Sequence, residues 1–339
     1  MFSELIDKLR RHEDLSEKEA CDVMAEVMQG RATPAQIAGF LVALSMKGEV
    51  LEEIVGLART MRATGIGLSM PTDDLFDTCG TGGDGLNTFN VSSLAALTLA
   101  ACGVRMAKHG NRSVSSRSGS ADLFEALGVN VSAPVEVVER CLLETDVAFF
   151  FAPTFHPSMR HAGPARRELG IRTAFNLLGP LTNPAGVRRQ LVGVPGAGQS
   201  TLLASALGRL GSERVWVVHG ENGLDEVSTA GVTHVTEYRE GKRLKRFELN
   251  PSDFGLPTAS LESLQISEPQ EGVDIARRVL AGEPGPTTDF VIVNAAAGLV
   301  IMERAPSLRE AAVMARAVLE DGSVSRKLIS LAAVSQGEE

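Results

Sequence analysis

Three stretches of the sequence combine residue types that handle phosphate. DTCGTGGDG (77–85) lies between an apolar run and a helical one. Its glycines let backbone N–H groups approach an anion, and the helix start behind it adds a favourable dipole. Gly80, Gly82 and Gly85 satisfy G-x-G-x-x-G, but a dinucleotide fold needs an acid roughly 20 residues on, at the end of the second strand. Lys108 and His109 stand there instead, so that reading fails. Asn90, Ser92 and Ser93 open the following helix as hydrogen-bond donors. KHGNRSVSSRSGSAD (108–122) is a second small-residue loop, with Lys108 as a point charge, Arg112 and Arg117 as forks, and serines as hydroxyls. Two such cradles on neighbouring strands suit a ligand with two separated phosphate groups. The third stretch, HGENGLDEVS (219–228), carries the adjacent carboxylates Asp225 and Glu226, the oxygen donors that Mg²⁺ prefers when it bridges to a substrate phosphate. A cationic segment bears His156, Arg160, His161, Arg166, Arg167 and Arg172. Its arginines could clasp a carboxylate or be ordinary surface charge.

The elements that must position these groups follow from periodicity. The first ~65 residues read as amphipathic helices. SEKEACDVMAEVMQG begins with a capping box from Ser16 to Glu19, and TPAQIAGFLVALSMKG with one from Thr33 to Gln36. So thin a helical layer must pack on something else. From about residue 70, short apolar runs alternate with helices. DLFDTC, VRMAKHG, VAFFFAP, QLVGVPG, RVWVVHG and THVTEYRE read as strands, and the chain returns to helices from about 270. The alternation predicts an α/β fold with a mainly parallel central sheet beside a small helical domain.

Composition excludes other classes. The chain has 339 residues and a formal net charge of −9, with 4% aromatics. That disfavours nucleic-acid binding, which rests on phosphate neutralisation and aromatic stacking. Cys21, Cys79, Cys102 and Cys141 form no C-x-x-C, so a disulfide framework or zinc site is not expected, and reduced thiols in the cytoplasm are. FVIVNAAAGLVIM (290–302) is interrupted by Asn294 and too short to span a bilayer, so no membrane partner is expected. MFSELIDKLRR reads as an amphipathic helix rather than a signal peptide.

GTGGD (80–84), TFNVSS (88–93), KHGNRSVSSRSGSAD, FNLLGPLTNP (175–184) and HGENGLDEV (219–227), in this order, resemble the anthranilate phosphoribosyltransferases of tryptophan biosynthesis, over essentially the whole chain. The resemblance implies a fold like that of pyrimidine nucleoside phosphorylases. Residues 1–67, completed by 157–184, would form the helical domain, and 68–156 with 185–339 the α/β domain. It further implies a homodimer through the helical domain. The reaction implied is Mg²⁺-dependent transfer of phosphoribosyl from 5-phosphoribosyl 1-diphosphate (PRPP) to the amine of anthranilate.

Matched motif by motif, the PRPP site would comprise Gly80, Gly83, Asp84, Thr88, Asn90, Val91, Ser92 and Ser93. Lys108, His109, Gly110, Asn111, Arg112, Ser113, Val114, Ser115, Ser116 and Ser120 would complete it. Ser92, Asp225 and Glu226 match the metal ligands, and Gly80, Asn111, His156 and Arg166 the anthranilate pocket. Arg166 is preferred to Arg167 by its spacing ahead of Gly170, and Ser93 keeps the hydroxyl of the commoner Thr. No catalytic residue is assigned, although Lys108 and His109 are candidates. A pyrimidine nucleoside phosphorylase and a non-catalytic nucleic-acid-binding relative are the alternatives; KHGN and HGENGLDEV speak against the first, and the net charge with the Asp225–Glu226 pair against the second.

Overall fold

The computed structural model describes residues 2–112 and 118–337. The chain opens with helices α1 (Phe2–Arg10), α2 (Glu17–Met28), α3 (Pro34–Lys47) and α4 (Leu51–Ala63). Both expected capping boxes form. Ser16 and Glu19 exchange bonds of 3.3 and 2.7 Å with each other's backbone N–H, and Thr33 and Gln36 ones of 3.3 and 2.9 Å. Each satisfies two amides that a helix start otherwise leaves unpaired.

A seven-stranded sheet follows, built from β1 (Leu75–Gly80), β2 (Arg105–Gly110), β3 (Val147–Phe151), β4 (Arg189–Gly193), β5 (Arg214–Gly220), β6 (Thr233–Arg239) and β7 (Lys245–Leu249). Its order is β3-β2-β1-β4-β5-β6-β7. The first five strands in that order are parallel, while β6 and β7 are antiparallel. β7 is absent from the sequence-based strand set. As an edge strand it exposes Lys245, Arg246 and Glu248, which hides its alternation and also blocks edge pairing.

Helices α5 (Val91–Ala101), α6 (Ser120–Ala126) and α7 (Val135–Thr145) connect the strands on one side. The cationic segment breaks into α8 (Ala152–Phe155), a 3₁₀ turn over Pro157–His161, α9 (Gly163–Leu169) and α10 (Ala174–Leu181), as its Pro and Gly residues demand. After α11 (Ala197–Arg209) the chain ends in α12 (Pro269–Leu280), α13 (Pro286–Ile301), α14 (Leu308–Glu320) and α15 (Ser323–Gln336). Apolar on every side, α13 is buried against α5, where Gly298 leaves no room for a Cβ beside Leu99 and Phe76.

The two sides of the sheet carry separate cores. One gathers β1–β3 with α5, α7 and α13. The other joins α1–α4 and α10 to α11 and to the sheet face formed by Val192, Val194, Val215 and Val217. The helical layer thus buries its apolar faces against the sheet, as its small size requires. Arg62, at the end of α4, donates to the carbonyls of Leu181 (2.5 Å) and Leu210 (3.0 Å), capping two helix ends across that seam. No helix among the described residues is long and apolar enough to cross a membrane.

Candidate active site

The strand order reverses between β1 and β4, the place where open parallel sheets bind ligands beyond their carboxyl ends. Gly80 and Gly193 sit side by side there, paired in register at the ends of β1 and β4. A Cβ on either would run into Asp225, on its carboxylate from Gly80 and on its backbone from Gly193. The two glycines together open the slot that Asp225 fills. Asn294 of α13 fixes the same turn from below, accepting from Val227 N–H at 3.0 Å and donating to its carbonyl at 3.0 Å.

Asp225 Oδ2 accepts from Gly82 N–H at 2.7 Å. Its burial, reinforced by the neighbouring Asp84 carboxylate, pushes its pKa up to about 7. Glu226 is raised further by burial and by Asp225, against the opposing influence of Lys108 and a contact from the Ser92 hydroxyl. Lys108 is buried beneath them, its Nζ donating to the Thr78 carbonyl at 2.7 Å. Next to it, buried Asp77 accepts from Asn183 Nδ2 at 2.9 Å and His109 N–H at 3.3 Å, and burial raises it too. Three buried acids thus share the site, and the Lys108 ammonium acts on two of them, Asp77 and Glu226. Such a site has a deficit of positive charge that a bound cation can fill. Ser92, Asp225 and Glu226 offer three oxygen donors. Among the described residues no group of three His, Cys, Asp or Glu side chains makes a protein-only cage. That suits Mg²⁺, which keeps waters and takes its remaining ligands from substrate phosphate.

The glycine loop supplies the anion side. Thr81 N–H is used on the Gly193 carbonyl at 2.9 Å and Gly82 N–H on Asp225, whereas the amides of Gly83, Asp84 and Gly85 have no partner among the described residues. Asn90 ties this loop to the second one through Ser118, donating to its carbonyl and accepting from its hydroxyl, both at 3.0 Å. Val91 and Ser93 are buried at the start of α5, and Ser93 Oγ has no partner among the described residues. Thr88 bridges to Gln265 at the rim.

The second loop begins at Gly110, where Ser120 Oγ and the Phe149 ring leave no space for a Cβ. Ser120 donates to the Asn111 carbonyl at 3.4 Å, and Asn111 Oδ1 accepts from Arg112 N–H at 2.8 Å. The Arg112 guanidinium turns towards α6, paired with Asp122 (2.9 Å) and Glu125 (2.7 Å). The expected phosphate contacts at Ser113, Val114, Ser115 and Ser116, like Arg117, lie outside the described residues.

Two histidines and one arginine are the remaining residues expected at the site. His109 is buried, with Nδ1 3.3 Å from the Gly179 carbonyl and Nε2 unpartnered among the described residues; burial pulls its pKa down to about 3. His156 stands behind it, ring centroids 5.7 Å apart, with Nε2 2.8 Å from the Thr182 carbonyl, and is likewise lowered by burial. Both rings are neutral at pH 7, so they shape the pocket without adding charge. Arg166 is half-buried over the Phe175 ring at 5.1 Å, and no carboxylate pairs with it among the described residues. Arg167 is exposed by comparison. The structure also places Arg172 on the glycine loop, donating to the Gly82 carbonyl. Sequence reasoning left Arg172 between a carboxylate clasp and surface charge, and gave Gly193 and Asn294 no part in the site. The signals were a glycine at a strand end and a lone amide in an apolar run.

Comparison with known proteins gives this geometry a relationship. Residues 72–325 match the model of the α/β domain of a glycosyl transferase family, and residues 3–65 match that family's helical bundle domain. The anthranilate phosphoribosyltransferase of Moorella thermoacetica is 49% identical over 98% of each chain. The chain belongs to the anthranilate phosphoribosyltransferase family. The family member of Herpetosiphon aurantiacus is 48% identical over 96% of both chains. Among solved structures, the anthranilate phosphoribosyltransferase of Thermus thermophilus superposes with a TM-score of 0.91 at 46% identity, covering 98% of this chain and 99% of that one. The Saccharomyces cerevisiae enzyme, in complex with PRPP and Mg, gives 0.90 at 29% identity over 99% and 98%. As a member of this family the chain is a transferase, and the fold expected from its sequence, a small helical domain beside an α/β domain with a mainly parallel sheet, is the family's.

Proposed function

We propose that the chain transfers the phosphoribosyl group of PRPP to the amine of anthranilate, giving N-(5-phosphoribosyl)anthranilate and pyrophosphate, as a step of tryptophan biosynthesis. The observation that carries this reading is the buried Asp225–Glu226 pair bonded to a glycine loop in which three amides have no partner among the described residues. A polyanion bearing a divalent cation satisfies both halves at once.

The free amides of Gly83, Asp84 and Gly85 hold phosphate oxygens, and Asn90 keeps the two loops at a fixed spacing. Ser92, Asp225 and Glu226 would hold Mg²⁺, which when bound offsets the negative charge developing on departing pyrophosphate. Lys108, bonded to the Thr78 carbonyl, offsets part of the negative charge of Glu226 and Asp77. Arg166 pairs with the anthranilate carboxylate, and Asn111 with Gly80 borders the acceptor. His109, backed by His156, walls the pocket with neutral imidazole. Ribose C1 gains oxocarbenium character as pyrophosphate leaves, and the neutral aryl amine attacks the opposite face. Catalysis therefore rests on positioning and charge stabilisation, without a covalent intermediate.

Four free cysteines support residence in a reducing cytoplasm. A homodimer through the helical domain completes the reading; Met46 of α3, 78% exposed, lies on that domain. The test is the loss of anthranilate fluorescence with purified protein, which should require PRPP and Mg²⁺ together. Turnover of thymidine with phosphate, and none of anthranilate, overturns the proposal.

A further inference from the structure

Gly82 is held through both peptide planes that meet at its Cα. Its N–H donates to Asp225 Oδ2 at 2.7 Å, and its carbonyl accepts from Arg172 Nη1. Arg172 reaches it from the turn between α9 and α10, immediately before the N-cap Thr173. The approach is so close that a side chain on Gly83, which has φ +75°, would run into the guanidinium. Among the described residues, no carboxylate lies within salt-bridge distance of Arg172, and its Nη2 is buried without a partner. Its charge reaches Asp225 across the loop.

A guanidinium usually finds a carboxylate fork, where it makes its strongest bonds. Here it is committed to one glycine carbonyl in the least constrained part of the backbone. With the N–H of one plane and the carbonyl of the next both bonded, neither peptide beside Gly82 is free to flip. The Gly83 N–H shares the plane of the Gly82 carbonyl and is fixed with it, next to the amides of Asp84 and Gly85, which have no partner among the described residues. We propose that Arg172 is a positioning residue for the donor substrate: with Asp225 it clamps the two peptides that flank Gly82 and so presets the diphosphate cradle. The role in turnover rests on the function proposed above, but the clamp itself does not. Because Arg166 lies on the same segment, the cradle and the acceptor cation are fixed to one piece of the fold.

Two measurements separate these levels. In ligand-free protein, Arg172→Ala should speed hydrogen exchange of the Thr81 and Gly82 amides by about tenfold or more, while exchange in β4 and α13 stays as in wild type. In steady state the same variant should raise KM for PRPP by about tenfold, move KM for anthranilate less than about twofold, and lower kcat by less than about threefold. Arg172→Lys, which can still donate to the carbonyl, should recover part of both effects. Gly83→Ala, which displaces the guanidinium, should reproduce the KM shift, and the double variant should be no worse than the worse single. Unchanged loop exchange, or equal KM increases for both substrates with faster exchange throughout, overturns the proposal, as would strict additivity with Gly83→Ala. If wild type fails to turn over anthranilate, the assigned reaction falls, and the exchange result decides the clamp independently.

Discussion

Arg166 and Arg172 occupy one short segment and share a residue type, yet they do different work. Arg172 is committed to a backbone carbonyl, whereas Arg166 lies half-buried over Phe175 with its charge unanswered among the described residues. A charge-assisted hydrogen bond contributes about 1.5–3 kcal/mol. Arg166→Ala should therefore lower kcat/KM for anthranilate by about 10- to 100-fold, with a smaller effect on KM for PRPP, read from initial rates with each substrate varied in turn. Equal losses for both substrates would remove Arg166 from the acceptor pocket. At this scale the sequence was only partly legible. Residue types made Arg166, Arg167 and Arg172 equivalent, and family spacing alone favoured Arg166. What separates them is burial and partnership, which are properties of the folded chain. Lys108 is a similar lesson, since its place in a basic loop suggested a ligand of phosphate, while its Nζ is turned inward to Thr78.

Elements decide where the carboxylate pair can stand. α13 is read from sequence as an apolar run with one flaw, Asn294, and that flaw is its contact with the site. It satisfies both backbone groups of Val227, the residue after Glu226. Asn294→Leu keeps the volume but strands a buried N–H and C=O, at about 1–3 kcal/mol for each unsatisfied group. The urea midpoint should fall, and the Mg²⁺ concentration for half-maximal activity should rise because the neighbouring carboxylates lose their support. A lower midpoint with unchanged Mg²⁺ response would reduce Asn294 to a core residue. The strand-and-helix alternation and both glycine-rich loops were legible because their chemistry is local. The contact between Asn294 and Val227 spans 67 residues, and nothing in either neighbourhood announces it. β7 was lost for the opposite reason, because its charged, exposed face masks a strand that is real.

At the scale of the whole molecule, the helical layer and the sheet share one core, so stability and the site are bound together. His109 offers a way to read this. Burial lowers its pKa to about 3, so the folded chain keeps it neutral while the unfolded chain protonates it below about 6.5. Folding then loses about 1.4 kcal/mol for each pH unit below 6.5, until the pH nears 3. Asp77, Asp225 and Glu226, raised by burial, act in the opposite sense, so the informative quantity is a difference. Between pH 7.5 and 5.5, the urea midpoint of wild type should fall more than that of His109→Gln. Parallel pH profiles would mean that His109 is hydrated. One last consequence follows from where the loop finds its anchors. Gly82 is held by residues 90 and 143 positions further along the chain. During synthesis the basic second loop leaves the ribosome well before either carboxylate of the pair exists. A nascent chain therefore owns cations but no finished pocket, and it cannot sequester a costly activated sugar phosphate until β5 and the turn behind it have been made.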